Sequence, residues 1–194
     1  MVGPGFPTEN RLKISNEYLR GLIEGEGCFT FDQAIRFSKK LGMIVVLRRP
    51  AFVIAMHIRD KELLLTLCNR LHLSNEVYEY QPYKGDGANR GPQAKLIVRE
   101  YLQLRDKVVP FFYKRLHGNK ARQFESWLET VGSDPRVTKK FRTIYYLYKS
   151  GYYDNFPGDK FWEKYDVIKE NINQENNLTY RSSNVTDLYE EIRR

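Results

Sequence analysis

Two glutamates stand among three glycines in the run Tyr18-Leu19-Arg20-Gly21-Leu22-Ile23-Glu24-Gly25-Glu26-Gly27-Cys28-Phe29. The first half has the make-up of an apolar helix, and Gly-Glu-Gly ends it just before a stretch suited to a strand. Glu26 thus falls at a helix C-terminus, where the macrodipole is negative and a carboxylate is unfavourable. A cation held there would remove the conflict. Gly21 and Gly25 are four residues apart on one helical face, a bare surface that a second helix can approach closely. By itself Gly-Glu-Gly also suits an ordinary buried helix with a glycine cap. The misplaced acid and the bare face together point to more.

Such an acid needs a frame. Ser15 or Asn16 can cap a first helix running to Ile23. Cys28 to Phe37 is rich in aromatic and β-branched residues and reads as a strand. Lys39-Lys40-Leu41-Gly42 is a turn, and Met43 to His57 is a long second strand, interrupted at Arg48-Arg49-Pro50. Asp60 caps a second helix, with Leu63, Leu64, Leu67, Cys68 and Leu71 at helical spacing. Strands follow over Glu76 to Tyr83 and Gln93 to Val98. Between them Lys84 to Pro92 is a flexible loop, and no GK[ST] ending makes it a phosphate cradle. Helices cover Glu100 to Val109 and Asn119 to Val131. The order α-β-β-α-β-β-α predicts an α+β fold, a four-stranded antiparallel sheet with helices on one face.

The chain has 194 residues, and 32 Lys and Arg against 24 Asp and Glu leave a formal charge of +8. A polyanion is the partner that this charge favours. Cys28 and Cys68 lie in apolar stretches without metal-type spacing and read as reduced core residues, which suggests an intracellular protein. His72 and His117 show no zinc pattern. No apolar run approaches membrane-spanning length, and the opening residues lack a signal-peptide pattern, so no membrane partner is expected. Residues 1–11 read as a flexible leader. Residues 132–194 form a helical extension: Lys139 to Lys149 carries Phe141, Ile144, Tyr145 and Tyr148 along one side, a stripe suited to packing. Helices around Lys160 to Asn171 and Thr186 to Arg193 follow.

Leu19-Arg20-Gly21-Leu22-Ile23-Glu24-Gly25-Glu26-Gly27 resembles the signature of the LAGLIDADG homing endonucleases. Arg20 replaces a small residue there and is expected to point off the contact face. Phe52-Val53-Ile54, the helix after Asp60, Val98-Arg99-Glu100-Tyr101-Leu102, Val108-Val109-Pro110-Phe111-Phe112 and Leu116-His117-Gly118-Asn119-Lys120 are similar to later segments of that family, so the resemblance spans residues 12–131. It implies the core fold just described and a site-specific double-strand DNA endonuclease at a long pseudo-palindromic target. One copy of the signature implies the single-motif, homodimeric class, with Leu19, Gly21, Leu22 and Gly25 at the interface. The resemblance leaves the compartment open within the cell, an organelle and the prokaryotic cytoplasm being the candidates. A non-cleaving DNA-binding regulator or an RNA splicing helper of the same ancestry is the alternative.

Phosphodiester hydrolysis by this family's route takes an activated water and stabilisation of the leaving oxygen. The resemblance places a divalent metal, Mg²⁺ or alternatively Mn²⁺ or Ca²⁺, on Glu26 and the carbonyl of Gly25, and implies no small-molecule cofactor. Glu24, two residues earlier, points elsewhere and is structural. Lys120 is the basic residue that stabilises the transition state, with Arg115 as its substitute; His57 is a weaker candidate for orienting solvent. The sheet face away from the helices would meet double-stranded DNA, since a major groove admits β-ribbons. Thr30, Asp32, Arg36 and Ser38 on the first strand, Arg48 and Arg49 on the second, Tyr78 and Tyr80 on the third, Arg90 in the loop, and Gln93 and Lys95 on the fourth are the contact candidates. An ordinary solvated sheet face is the competing explanation.

Overall fold

A computed structural model describes residues 14–40, 42–82 and 91–155. The leader, the tip of the loop with Arg90, and the two later helices of the extension lie outside the described residues.

Helix α1 (Asn16–Glu26) begins at Ser15, whose side chain accepts a hydrogen bond from the Tyr18 amide at 3.1 Å. It runs directly into β1 (Gly27–Ser38). A Cβ on Gly27 would come within 2.5 Å of the Ile23 side chain, so this sharp helix-to-strand passage admits only glycine. A turn with Gly42 at φ +64° leads to β2 (Met43–His57). After a 3-10 turn (Ile58–Asp60) come α2 (Lys61–Arg70), β3 (Val77–Tyr80) and β4 (Gln93–Val98). The strands form one antiparallel sheet in the order β1-β2-β4-β3. The helical chain then passes through α3 (Tyr101–Gln103), a π-turn (Leu104–Val108) and α4 (Val109–Phe112). Pro110 cannot donate to the carbonyl four residues back and its ring crowds that position, which suits the wider turn before it. Helix α5 (Gly118–Ser133) packs beside β1, and α6 (Lys139–Lys149) packs on α5. This is the expected architecture.

Three local expectations change. Strand β2 is not interrupted: its pairing with β1 continues through Asp32↔Arg49 and Phe31↔Pro50. The Arg48 amide donates to the carbonyl of Arg136, away from β1, and residue 50 faces the same way. Strand β4 reaches only Phe52, so the missing N–H of Pro50 removes no sheet hydrogen bond. Asp60 stands before α2 but its side chain makes no capping bond; it pairs with Arg59 instead. His57 caps the 3-10 turn before α2, its ring accepting from the Arg59 amide at 3.3 Å. Cys28 is exposed, whereas Cys68 is buried, with its thiol pushed up to about 11 by desolvation.

The core lies between sheet and helices. Phe52, Ile54, Leu96 and Val98 meet Leu19 and Ile23 of α1, Leu64 and Leu67 of α2, and Phe111 and Phe112 of α4, all fully buried. Phe29 sits at the centre of an aromatic cluster, 4.7 Å from Phe124 and 5.6 Å from Phe112 between ring centroids. Such side chains contribute roughly 1.5–3 kcal/mol each on burial. Val137, Ile144 and Tyr153 belong to the same core, so α6 closes it rather than standing apart. Among the described residues no helix is long and apolar enough to cross a membrane.

Candidate nucleic-acid interface and active site

Helix α1 divides into two sides. Asn16, Leu19, Arg20 and Ile23 face inward, while Tyr18, Gly21 and Gly25 are exposed and Leu22 is partly so. Leu19 must therefore be removed from the expected helix–helix contact: it is wholly buried in its own core. Arg20 is turned off the exposed face, its Nε donating to the Phe111 carbonyl at 3.4 Å and its guanidinium lying 4.8 Å from the Phe111 ring. Among the described residues nothing lies within 4 Å of a Cβ placed on Gly21 or Gly25. The bare face is open.

Glu26 is exposed at the end of α1, and among the described residues its carboxylate makes no hydrogen bond or ion pair. Glu24 points to another element, accepting from the His117 amide at 2.7 Å and lying 3.1 Å from Nδ1 of the same residue. Three residues along, Lys120 Nζ donates to the carbonyl of Gly27 at 2.7 Å. The fold thus brings Lys120, 94 positions later in sequence, to the residue that follows Glu26. Arg115 is held elsewhere, donating to the Pro110 carbonyl at 2.7 Å. Among the described residues no three His, Cys, Asp or Glu side chains gather as a metal cluster. One exposed carboxylate with a neighbouring carbonyl still suits Mg²⁺, which takes one or two carboxylates and keeps its remaining positions for water and phosphate oxygens.

The ladder registers sort the sheet residues by face, because residues directly opposite one another point to the same side. On the face that carries no helix among the described residues (the helix-free face) stand Thr30, Asp32, Arg36 and Ser38 of β1, Arg49 of β2, Tyr78 and Tyr80 of β3, and Gln93 and Lys95 of β4. Tyr78 and Tyr80 are about half exposed, and Lys95 Nζ lies 5.0 Å from the Tyr80 ring centre. Arg48 does not belong with them. Adjacent residues in a strand face opposite ways, and Arg48 lies on the helix side, 4.3 Å over the Phe31 ring and 2.7 Å from Asp134. Asp134 is buried and also held by Arg136, whose guanidinium and amide keep its carboxyl well below the usual carboxylate range. Arg90 lies outside the described residues.

One residue of this face was missed. Arg99 continues the alternation Gln93, Lys95, Ile97, and its guanidinium meets Asp32, which Arg49 also approaches at 3.8 Å. Counting every second residue past the end of β4 was the available signal. Asp32 is thereby engaged by two arginines of its own chain. The β1–β2 hairpin also runs well beyond β4, since β4 pairs only with Phe52 to His57. It projects as a two-stranded ribbon carrying Arg36, a shape that matches a groove's width.

The sequence model for the LAGLIDADG endonuclease matches residues 19–131, more than half of the chain. The chain belongs to the LAGLIDADG family. Among solved structures, I-SmaMI bound to an uncleaved DNA target in the presence of calcium ions aligns at 21% identity and TM-score 0.51, over 76% of this chain and 48% of that one. The LAGLIDADG meganuclease I-CpaMI bound to uncleaved DNA aligns at 20% identity and TM-score 0.50, over 77% and 48%. The chain spans about half the length of these LAGLIDADG proteins. Among curated proteins none matches. The signature occurs once in these 194 residues.

Proposed function

We propose that this chain is a site-specific, metal-dependent DNA endonuclease that works as a homodimer. The observation that carries the reading is the placement of Lys120 on the carbonyl of Gly27, the residue after the exposed Glu26 at the foot of α1, beside the bare Gly21–Gly25 face. A binder that does not cut has no use for an exposed carboxylate where phosphate must approach. Double-stranded DNA would lie across the helix-free face, met by Arg36, Arg49, Arg99, Lys95, Gln93, Tyr78 and Tyr80. Phosphate contacts would fix its position and contacts to base edges its register.

Glu26 and the Gly25 carbonyl would hold the divalent metal, which when bound supplies an activated water and charge stabilisation. Lys120 adds a positive charge aimed at the foot of the helix, suited to the charge that develops on the scissile phosphate. Its bond to the Gly27 carbonyl holds the ammonium in place before substrate arrives. One chain presents one Glu26, and cutting both strands needs two. Two copies joined through their α1 faces would supply both and would favour an approximately palindromic target.

Glu26→Gln keeps the side-chain volume and removes the charge that would hold the metal. Incubated with a library of duplexes and Mg²⁺, the unaltered protein should cut a preferred site. The Gln variant should bind that site within a few-fold of the same affinity and leave it uncut. Cutting by the variant at unchanged Mg²⁺ would remove Glu26 from the mechanism. Binding without cutting by the unaltered protein would favour the regulator reading.

A further inference from the structure

We propose that Glu24, the first acid of the signature, is a positioning residue that acts through Lys120; the inference rests on the role given to Lys120 above. Glu24 and Glu26 are two residues apart, so on a helix they point to nearly opposite sides. Glu26 points out. Glu24 reaches across to the start of α5, where a single carboxylate oxygen accepts from the His117 amide at 2.7 Å and lies 3.1 Å from Nδ1 of His117. Its charge is poorly placed at the C-terminal end of its own helix and well placed at the N-terminal end of α5. That contact fixes where α5 starts relative to α1. Lys120 is the third residue of α5 and returns to the same place, donating to the Gly27 carbonyl. Two cross-links three residues apart therefore tie the first turn of α5 to the foot of α1. A long lysine side chain has many rotamers, and a fixed starting point for α5 narrows them to those that reach the active site.

The test is single-turnover cleavage of the preferred duplex, read alongside duplex affinity, melting temperature and the Mg²⁺ concentration for half-maximal rate. Glu24→Ala should slow cleavage by about tenfold or more, the scale on which small misplacements of a reacting group act. Affinity should stay within a few-fold, and the half-maximal Mg²⁺ concentration should be unchanged. Glu24→Gln retains an oxygen for the His117 amide and should restore most of the rate. His117→Ala, at an exposed position, keeps the amide and should cost only a few-fold. The deciding readout is coupling. In a Lys120→Met background, where cleavage is already slow, Glu24→Ala and His117→Ala should add almost nothing.

Additive losses would overturn the inference, as would a Glu24→Ala effect confined to melting temperature. A raised Mg²⁺ requirement would also overturn it, by assigning Glu24 to the metal. If Lys120→Met alone cleaves at the full rate, the role of Lys120 falls first and this inference with it.

Discussion

Asp134 is the residue whose environment makes the plainest demand on solution conditions. Arg136, through guanidinium and amide, and then Arg48 hold its carboxyl ionised far below the usual range. A depressed folded value means that this stabilisation is complete above the unfolded value, about 3.9. It is lost as pH falls below that toward the folded value. Thermal unfolding from pH 7 to pH 2 should show the unaltered protein losing melting temperature steeply on the acid side. Asp134→Asn should start lower at pH 7 and lose less. A slope equal in both proteins would show that Asp134 carries none of the acid limb. The cysteines give a second test at this scale. Cys28 is exposed, while Cys68 is buried with its thiol at about 11, and thiolate fraction and access together set reactivity. One thiol should react with a disulfide reagent in native protein at pH 8 and the second only after denaturation. Two fast thiols would contradict the buried placement of Cys68.

Helix α1 is where assembly and folding can be separated. Among the described residues a Cβ on Gly21 meets nothing within 4 Å. Gly21→Leu therefore introduces no clash in the monomer, and replacing glycine inside an exposed helix stabilises by roughly 0.5–1 kcal/mol. In a homodimer built on this face the leucine would hold the helices apart. The expected result is an unchanged or slightly raised melting temperature in the monomeric range, with loss of dimer in light scattering and loss of double-strand cleavage. A dimer that persists in Gly21→Leu would place the contact elsewhere. Helix α5 has its own coupling role: Lys120 and Trp127 donate to the carbonyls of Gly27 and Thr30, so the helix that packs beside β1 also delivers the lysine.

Over the whole molecule, the chain past residue 131 matters to the same core that positions the site. Val137 and Ile144 are essentially fully buried, the Tyr145 ring lies against Gly132, and Val137 bridges to Arg48 of β2. Losing Val137 and Ile144 alone removes roughly 3–6 kcal/mol of burial, comparable to the total stability of many domains. A chain ending at Val131 should accordingly be insoluble or melt far below the full protein. Soluble, DNA-binding protein from that truncation, with a melting temperature within a few degrees of the full chain, would show α6 to be dispensable.

Local patterning carried the sequence reading a long way. The aromatic and β-branched make-up of β1, the capped start of α1, the helical spacing in α2 and the apolar stripe of α6 are each set by neighbours a few residues apart, and all stand in the structure. The signature itself named Glu26 and the bare glycine face. The face on which a strand residue stands needs register, and register is a pairing between distant segments. Arg48 and Arg49 look equivalent in sequence, yet pairing with β1 sends one under the sheet to Asp134 and leaves the other on the open face. Leu19 looks like a contact residue of an exposed helix until the packed sheet shows which side of α1 is inward. Only the tertiary structure brought Lys120 to Gly27 and Glu24 to His117, because each joins segments 93 residues apart whose separation along the chain says nothing of their distance in space. Short-range chemistry chose the elements, and long-range packing decided which side chains share a site.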